Sequence, residues 1–532
     1  MSDDTPEPPS NSRWHAVLNG TSPMAKGMFQ LAPEAIVLLA FLGFFAWLKG
    51  AEALAAGAAV RPLSLVGALL LVFIVSCYFC ALARPWGALE NSLALRLITG
   101  VAALALTWPY LTTHYNFRTE SYYALDRVLI LLFLIAFYFR PLAVIPLLLV
   151  TVPMIWTHDA GIGPFPWEFA GLPLRVLCLF FVWHAYTVCT GAPQSRPFFF
   201  LLLCIIAGHY WIPGNIKLRG GWLLENEVFY LLPSTYANGW LAFLQPDTIT
   251  SITETVALFN FPMKAATILL ECGCLFLLVG RKYTALPFLF LFPCFHIGVV
   301  FLSGICMWQW ALIEITTAVV LLRYTQTAPL PSFTRGHLVA SVVLIGLSPL
   351  WLNSARLAWF DTPVNYVLRF DAVAEDGTRQ NLSPQFFAPY DMQFTFSGFR
   401  YAVTDQPLLP ITWGATDKYT AKALIDAPDK TAIFTVEQEY GRLQHDPAAT
   451  ENLHLFLFNY VYHYNQNPNR MRRLPLISPP PALITFPRAN GYTGNAPIKR
   501  VEVSHITSYY DRNTYREIRH LPLFTVDIPS AP

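Results

Sequence analysis

A lysine in the segment AGHYWIPGNIKLRGGWL, residues 207–223, has surroundings that suit acid–base chemistry. Lys217 follows a long apolar run and lies between Pro213-Gly214 and Gly220-Gly221. We expect Pro213-Gly214 to end the apolar helix and the glycine pair to allow a tight turn. The lysine would then lie at the end of the helix. There it could act as a base, or its side chain could instead extend to lipid headgroups.

Two tryptophans are expected to limit the access of water to the Lys217 side chain. We expect Trp211 and Trp222 to supply apolar walls on its two sides. A lysine partly removed from water between such walls releases its proton more easily than a lysine in water. The segment therefore predicts a candidate base, Lys217, in a partly desolvated site.

Five further ionisable side chains could take part in the same chemistry. Glu271, His296 and Glu314 fall inside apolar stretches, whereas His114 and His158 fall near the ends of such stretches. An ionisable group within a bilayer is costly, so by default it indicates a functional site. The alternative for the buried groups is an ion pair between neighbouring helices.

The elements that must position these groups are membrane helices. The chain is 55% hydrophobic and 13% charged, and its apolar residues form blocks of bilayer-spanning length. Trp and Tyr near the ends of the blocks are typical of membrane–water interfaces. The blocks predict about ten or eleven transmembrane helices, at residues 31–48, 62–83, 92–110, 126–139, 141–157, 172–190, 196–212, 264–280, 284–303, 305–323 and 337–353.

Basic residues in the short loops give an orientation. Placing most of these loops on the cytoplasmic side, as membrane proteins prefer, makes residues 1–27 a cytoplasmic arm and residues 28–354 a transmembrane domain. Residues 355–532 then form an extracytoplasmic domain, periplasmic or lumenal, and Lys217 faces the same side. The sequence thus predicts a multi-pass integral membrane protein in contact with lipid.

The C-terminal part has a different composition. Stretches of alternating aromatic and polar residues separated by Pro, Gly, Asn and Asp predict β-strands and a small β-rich domain. These stretches are residues 364–373, 392–403, 430–440, 453–464, 498–506 and 521–528. The proline-rich segment ISPPPALITFPRANG, 477–491, is expected to cross the surface of that domain.

Several function classes are disfavoured by composition and motifs. A net charge of +2 gives no reason to expect a nucleic-acid partner. No P-loop, HExxH pair, dinucleotide-binding glycine loop or GxSxG set is found, and the nine cysteines predict neither a disulfide framework nor a metal site. Outer loops with few charges suit a lipid-like or quinone-like ligand better than an ion.

Three motifs in order resemble the vitamin K-dependent γ-glutamyl carboxylase family and its bacterial relatives, which share the HTTM domain. In YWIPGNIKLRGGWL, 210–223, the family positions are filled by Tyr210, Gly214, Lys217, Leu218 and Trp222. LLECGCLFLLVGR, 269–281, resembles the acid-bearing helix, with Glu271 at the acidic position, and CFHIGVVFLSGICMW, 294–308, places His296 at the histidine position.

The resemblance implies a function and a division of roles. Such an enzyme deprotonates a reduced vitamin K or related quinol with a lysine, uses O2 to form the epoxide and a strong base, and adds CO2 to the γ-carbon of a glutamate. Lys217 would be the base towards the quinol. The family histidine matches either His158, by spacing, or His114, by its local THY sequence.

The remaining implied roles concern binding. The quinone would be held by Tyr210, Trp211, Trp222, Glu271 and His296, no metal is expected, and a polypeptide on the outer face is a possible substrate. The competing hypothesis is a non-enzymatic membrane protein that binds quinone or lipid, or anchors a partner through its C-terminal domain.

Overall fold

The computed structural model describes most of the chain. The described residues are 31–57, 85–112, 125–159, 171–279, 282–327, 333–352, 354, 357–388, 390–396, 399–411, 416–466, 477–488, 490–494 and 496–529. The predicted N-terminal arm, 1–27, and the predicted helix at 62–83 lie outside these residues.

Each predicted apolar segment within the described part falls on a helix. The helices of this part are α1 (Ala32–Gly57), α2 (Ser92–Thr112), α3 (Leu125–Phe139), α4 (Val144–Asp159), α5 (Gly171–Thr190), α6 (Arg196–Arg219), α7 (Trp222–Glu225), α8 (Leu231–Ala237), α9 (Pro246–Leu258), α10 (Asn260–Gly273), α11 (Lys282–Ser303), α12 (Trp308–Thr327), α13 (Arg335–Gly346) and α14 (Ser348–Trp351). Arg140-Pro141 separates α3 from α4, as the loss of a backbone donor at proline predicts.

Four described helices are long and apolar enough to cross a membrane: α2, α5, α6 and residues Thr284–Ser303 of α11. A fifth span results if α9 and the helix after it, which meet at 62°, count as one broken span. This is fewer than the ten or eleven spans predicted. The helices α1, α4 and α13 contribute only shorter apolar stretches, α3 and α12 are not among the spans, and residues 62–83 lie outside the described part. The described chain is therefore compatible with a multi-pass membrane protein.

Helix α6 lies at the centre of the bundle. Of its apolar stretch 94% is buried, against 28% for α11, so α6 is enclosed by other helices and α11 lies at the periphery. A membrane helix that carries polar side chains has to keep them away from lipid, which fits this position. The polar residues near the end of α6 are consequently enclosed as well.

The C-terminal part contains a four-stranded antiparallel sheet. Its strands are β1 (Val364–Ala374), β2 (Arg379–Leu382), β3 (Ile498–Tyr510) and β4 (Tyr515–Asp527), in the order β2-β1-β3-β4. Asn365 of β1 donates a hydrogen bond to the Ser234 carbonyl in α8, 3.1 Å away. The sheet thereby contacts the helical part of the chain.

Three of the six predicted strands are wrong. Residues 392–396, 400–403, 430–440 and 453–464 fall on helices. The helices of this region are α15 (Asp391–Phe396), α16 (Arg400–Val403), α17 (Lys418–Ile425), α18 (Lys430–Tyr440) and α19 (Pro447–Gln466). The domain is therefore mixed helix and sheet and not predominantly β.

Two local signals explain the helical outcome. The Asp429 carboxylate accepts hydrogen bonds from the first backbone amides of α18, and Asp446 accepts one from Ala448 at the start of α19. The apolar residues that α19 buries recur at spacings of three and four, which is a helical period. These are Leu453, Phe456, Leu457, Tyr460 and Val461.

The proline-rich segment lies at a seam between the two parts of the chain, since it contacts both the sheet, where the Asn381 amide of β2 donates to the Asn490 carbonyl, and the helical part. Its backbone pairs with the end of α11, because the Cys306 amide donates to the Ala482 carbonyl and the Ile484 amide to the Gly304 carbonyl. Gly304 has φ +73°, and a methyl group on it would come within 2.6 Å of the Trp240 ring. Only glycine fits this crossing without strain.

Replacing Gly304 by alanine is expected to weaken the seam by about 1–3 kcal/mol, from the left-handed backbone and the overpacking together. Thermal unfolding of the purified protein in detergent should show a lower Tm. The matched control is Gly298→Ala in α11, the helix that ends just before Gly304, where an added methyl group meets nothing within 4 Å. Equal Tm values for the two variants would contradict this account of the seam.

Candidate functional site

The lysine of interest lies inside a helix. Contrary to the prediction, Pro213-Gly214 does not end α6, which continues to Arg219 and includes Lys217 in its last turn. The helix ends at Gly220 and Gly221, and Gly221 has φ +76°, as expected of a tight glycine turn. Lys217 is therefore held by regular backbone at the end of the most enclosed helix.

Lys217 forms a buried ion pair with Glu271 of α10. The Nζ–Oε1 distance is 2.6 Å, and the two side chains are 9% and 4% exposed. Gly214 makes this approach possible, since a methyl group on it would lie 2.7 Å from the Glu271 Cβ. Two helices in such close contact bring the carboxylate directly to the amine.

The contact is short, but one of the carboxylate oxygens lacks a hydrogen-bond donor. The second carboxylate oxygen of Glu271, Oε2, is buried and accepts no hydrogen bond from the described residues. A buried acceptor without a donor costs about 1–3 kcal/mol. The Glu271 carboxylate can therefore accept one more hydrogen bond from a hydroxyl-bearing ligand.

One of the two predicted tryptophan walls is present. The Lys217 Nζ lies 5.3 Å from the centre of the Trp222 ring, which is cation–π distance. Trp211 instead donates its indole N–H to the Gly346 carbonyl on α13. Six residues along a helix correspond to about 240° of rotation, so Trp211 and Lys217 occupy different faces.

A second buried cluster lies on the lysine face of α6, two turns before Lys217. The Tyr210 hydroxyl is 2.6 Å from both Glu314 Oε1 and His296 Nε2. A phenol has one proton, so if it donates to Glu314 it accepts from an N–H at Nε2 of His296. The three groups form a continuous chain along which a proton can move, and the Tyr210 ring is stacked on Phe292.

A third polar group lies beside this chain. Arg175 Nη1 is 2.9 Å from His209 Nε2 and can only donate, so His209 accepts there and is neutral. The other ring nitrogen of His209, Nδ1, then donates to the Ser354 hydroxyl. This arrangement connects α5 and α6 to Ser354, three residues beyond the end of α14.

A carboxylate that the sequence did not single out lies close to the lysine. Asp361 is buried and lies in the segment that connects α14 to β1. Its carboxylate accepts hydrogen bonds from Asn226 and Trp359. Burial raises its pKa to about 7, although those two hydrogen bonds and the charge of Lys217 act in the opposite direction. A lone Asp in the segment FDTP carries no pattern that would have identified it.

The two histidines proposed as catalytic remain predictions. His158 lies in the last turn of α4, and its side chain is outside the described part of the chain. His114 lies outside the described residues altogether. Among the residues that are described, no cluster of three or more His, Cys, Asp or Glu side chains could hold a metal ion.

A cleft away from the lysine opens between the sheet and the end of α8. It is lined in part by Arg369, Arg488 and Glu517. Glu517 forms an ion pair with Arg369 and lies 3.9 Å from Arg488. The cleft is open to solvent, and these charged groups lie in a mainly apolar lining, whereas the lysine site is enclosed.

Comparisons with protein-family models, with curated proteins and with solved structures give no match. A functional proposal therefore rests on the geometry of the site and on the sequence motifs.

The contact of Gly214 with α10 can be tested directly. Gly214→Ala should force α6 and α10 apart, lengthen the Lys217–Glu271 contact and lower the Tm in detergent by several degrees, for a cost of about 1–3 kcal/mol. The matched control is Gly100→Ala in α2, where an added methyl group meets nothing within 4 Å. A Gly214 variant as stable as the Gly100 variant would show that this contact does not position the pair.

Proposed function

We propose that the protein is an integral membrane enzyme whose Lys217–Glu271 pair deprotonates a quinol-like hydroxyl. The observation that supports it is the 2.6 Å contact between two buried ionisable groups at the end of an apolar helix. Ionisable side chains at such positions are costly to maintain, so a structural role alone is a weak reason for them.

The pair can supply a base without a free amine in the resting state. Transfer of the proton from Nζ of Lys217 to Oε1 of Glu271 leaves a neutral amine and a neutral acid, a redistribution that low polarity favours. The neutral amine then accepts the proton of a hydroxyl placed beside it, between Trp222 and Glu271. The unpaired Oε2 of Glu271 can accept a hydrogen bond from a second donor group of the ligand.

The surroundings fit a lipid-soluble aromatic substrate. Trp222 supplies one wall beside the lysine, and the Tyr210–Phe292 stack lies two turns deeper on the same face of α6. The resemblance to the vitamin K-dependent carboxylases names this substrate as a reduced vitamin K or related quinol. When bound, the quinol with O2 supplies the strong base for carboxylation of a glutamate-like acceptor by CO2.

The chain of Tyr210, His296 and Glu314 would receive or return protons during turnover. Its members are connected by hydrogen bonds of 2.6 Å and are shielded from water by the bundle. His158 or His114 would stabilise the later steps, as the resemblance implies. We further propose that the N-terminus is cytoplasmic and that the C-terminal domain and Lys217 face the periplasm or lumen, where a polypeptide acceptor would approach.

One observation favours a second candidate function. The Lys217 ammonium already has a carboxylate partner. An ion pair that only holds α6 and α10 together would have the same geometry. In that case the protein binds quinone or lipid, or anchors a partner, without turnover. Mass spectrometry of the purified protein that finds bound quinone, together with no turnover when reductant and bicarbonate are supplied, would support this function.

The proposed enzyme is tested by replacing the base. Lys217→Met removes the amine and keeps a similar length, so CO2 incorporation into a glutamate peptide with reduced vitamin K should fall by about 10²-fold or more, the usual contribution of a general base. Oxygen uptake that depends on the quinol should fall in parallel. Both rates are measured on purified protein in lipid nanodiscs.

The control is Lys418→Met, because Lys418 is a partly exposed lysine that also contacts a glutamate, Glu225, at 3.5 Å. It should retain the wild-type rates. Wild-type rates in a folded Lys217→Met protein would exclude Lys217 as the base.

A further inference from the structure

The tryptophan wall beside Lys217 is held by residues from beyond the last helix of the bundle. The indole N–H of Trp222 donates to the Trp359 carbonyl, 2.9 Å away. The indole N–H of Trp359 in turn donates to Oδ1 of Asp361 at 3.0 Å. A line of contacts therefore runs from the lysine through two tryptophans to one buried carboxylate.

A second arm fixes the same carboxylate to the loop after α7. Asn226 donates its side-chain N–H to Oδ2 of Asp361 at 2.9 Å and accepts the Asp361 backbone N–H at 2.7 Å. The Asn226 carbonyl accepts a hydrogen bond from Lys264 of α10, 2.7 Å away. Asp361 thus joins the start of the C-terminal part to the loop after α7 and, through Asn226, to α10.

We propose that Asp361 is a positioning residue for the Lys217 site, whose ionised carboxylate holds Trp359, and through it Trp222, against the lysine. The site is incomplete without the segment 359–361. The proposal rests on the proposed function only for its consequence for turnover, since the position of the tryptophan wall can be measured without substrate.

Both carboxylate oxygens of Asp361 accept a hydrogen bond. The position of the tryptophan wall therefore depends on whether Asp361 is ionised. An ionised carboxylate is a stronger acceptor at both oxygens than a protonated one. An asparagine at this position has one oxygen and one NH2 group. Its NH2 group would face either the Trp359 indole N–H or the Asn226 side-chain N–H, and both of these are donors. Protonation and the Asp361→Asn substitution should therefore loosen the wall in the same sense.

The pH range in which this happens follows from the surroundings. Burial raises the pKa of Asp361 to about 7, so the carboxyl is neutral in mild acid and ionised above neutrality. The charged and titratable groups on the elements around it are Lys217, Glu225, Glu227, Lys264, Glu271 and Lys418. Lys217 is the charge that favours the ionised form of Asp361.

Hydroxyl-radical footprinting tests the wall in the full-length protein in nanodiscs. The readout is the oxidised fraction of Trp222, which is buried in the wild type. At pH about 8.5, Asp361→Asn should raise Trp222 oxidation about threefold or more over wild type, because the charge-assisted hydrogen bonds are lost. At pH about 5.5, where the wild-type carboxyl is itself protonated, the ratio of variant to wild type should approach one.

Two further variants complete the test. Trp359→Phe removes the indole N–H but keeps Asp361, and it should raise Trp222 oxidation at both pH values. Asp376→Asn is the matched control, because Asp376 is an exposed aspartate in the turn after β1 and should match wild type at both. The proposal is overturned if Trp359→Phe leaves Trp222 as protected as in wild type, or if a folded Asp361→Asn protein gives the same ratio at both pH values. An inactive protein with the expected footprint would count against the proposed function alone.

Discussion

The close contact of α6 with α10 at Gly214 is the constraint on which the rest of the site depends. A glycine at this position lets the backbone of α10 approach until Glu271 reaches Lys217 at 2.6 Å. Burying both charges carries a large desolvation cost, which only a short and well-aligned contact offsets. The pair is therefore held by helix packing, and the packing in turn makes either residue hard to replace alone.

The other features of the site follow from the same central helix. Because α6 is enclosed on all sides, each polar group on it must find a partner within the bundle. Tyr210 finds Glu314 and His296, His209 finds Arg175 and Ser354, and Lys217 finds Glu271. The partners come from separate helices, so one helix organises the polar interior. The C-terminal chain adds to it through Trp359 and the proline-rich segment at Gly304.

Apolar length identified the helices well, because a long apolar stretch can satisfy its backbone hydrogen bonds within itself only as a helix. Lys217, Glu271 and Trp222 could also be singled out from residue type and position. The end of α6 could not, since Pro213 and Gly214 break a helix in isolation, but here packing against α10 overrides that preference. In α18 and α19 the aromatic and β-branched residues favoured strands, whereas the Asp caps and the three-and-four spacing signalled helices. Asp361 and Trp359 act through partners more than 100 residues away, which no local pattern reveals.

An experimental structure with a reduced quinone analogue bound is the most direct test of the central claim that Lys217 and Glu271 form the reactive centre. The account predicts that a ring hydroxyl lies at hydrogen-bond distance, about 3 Å, from Nζ of Lys217, between Trp222 and Glu271. A quinone bound elsewhere, with the Lys217–Glu271 contact intact and out of its reach, would contradict the account.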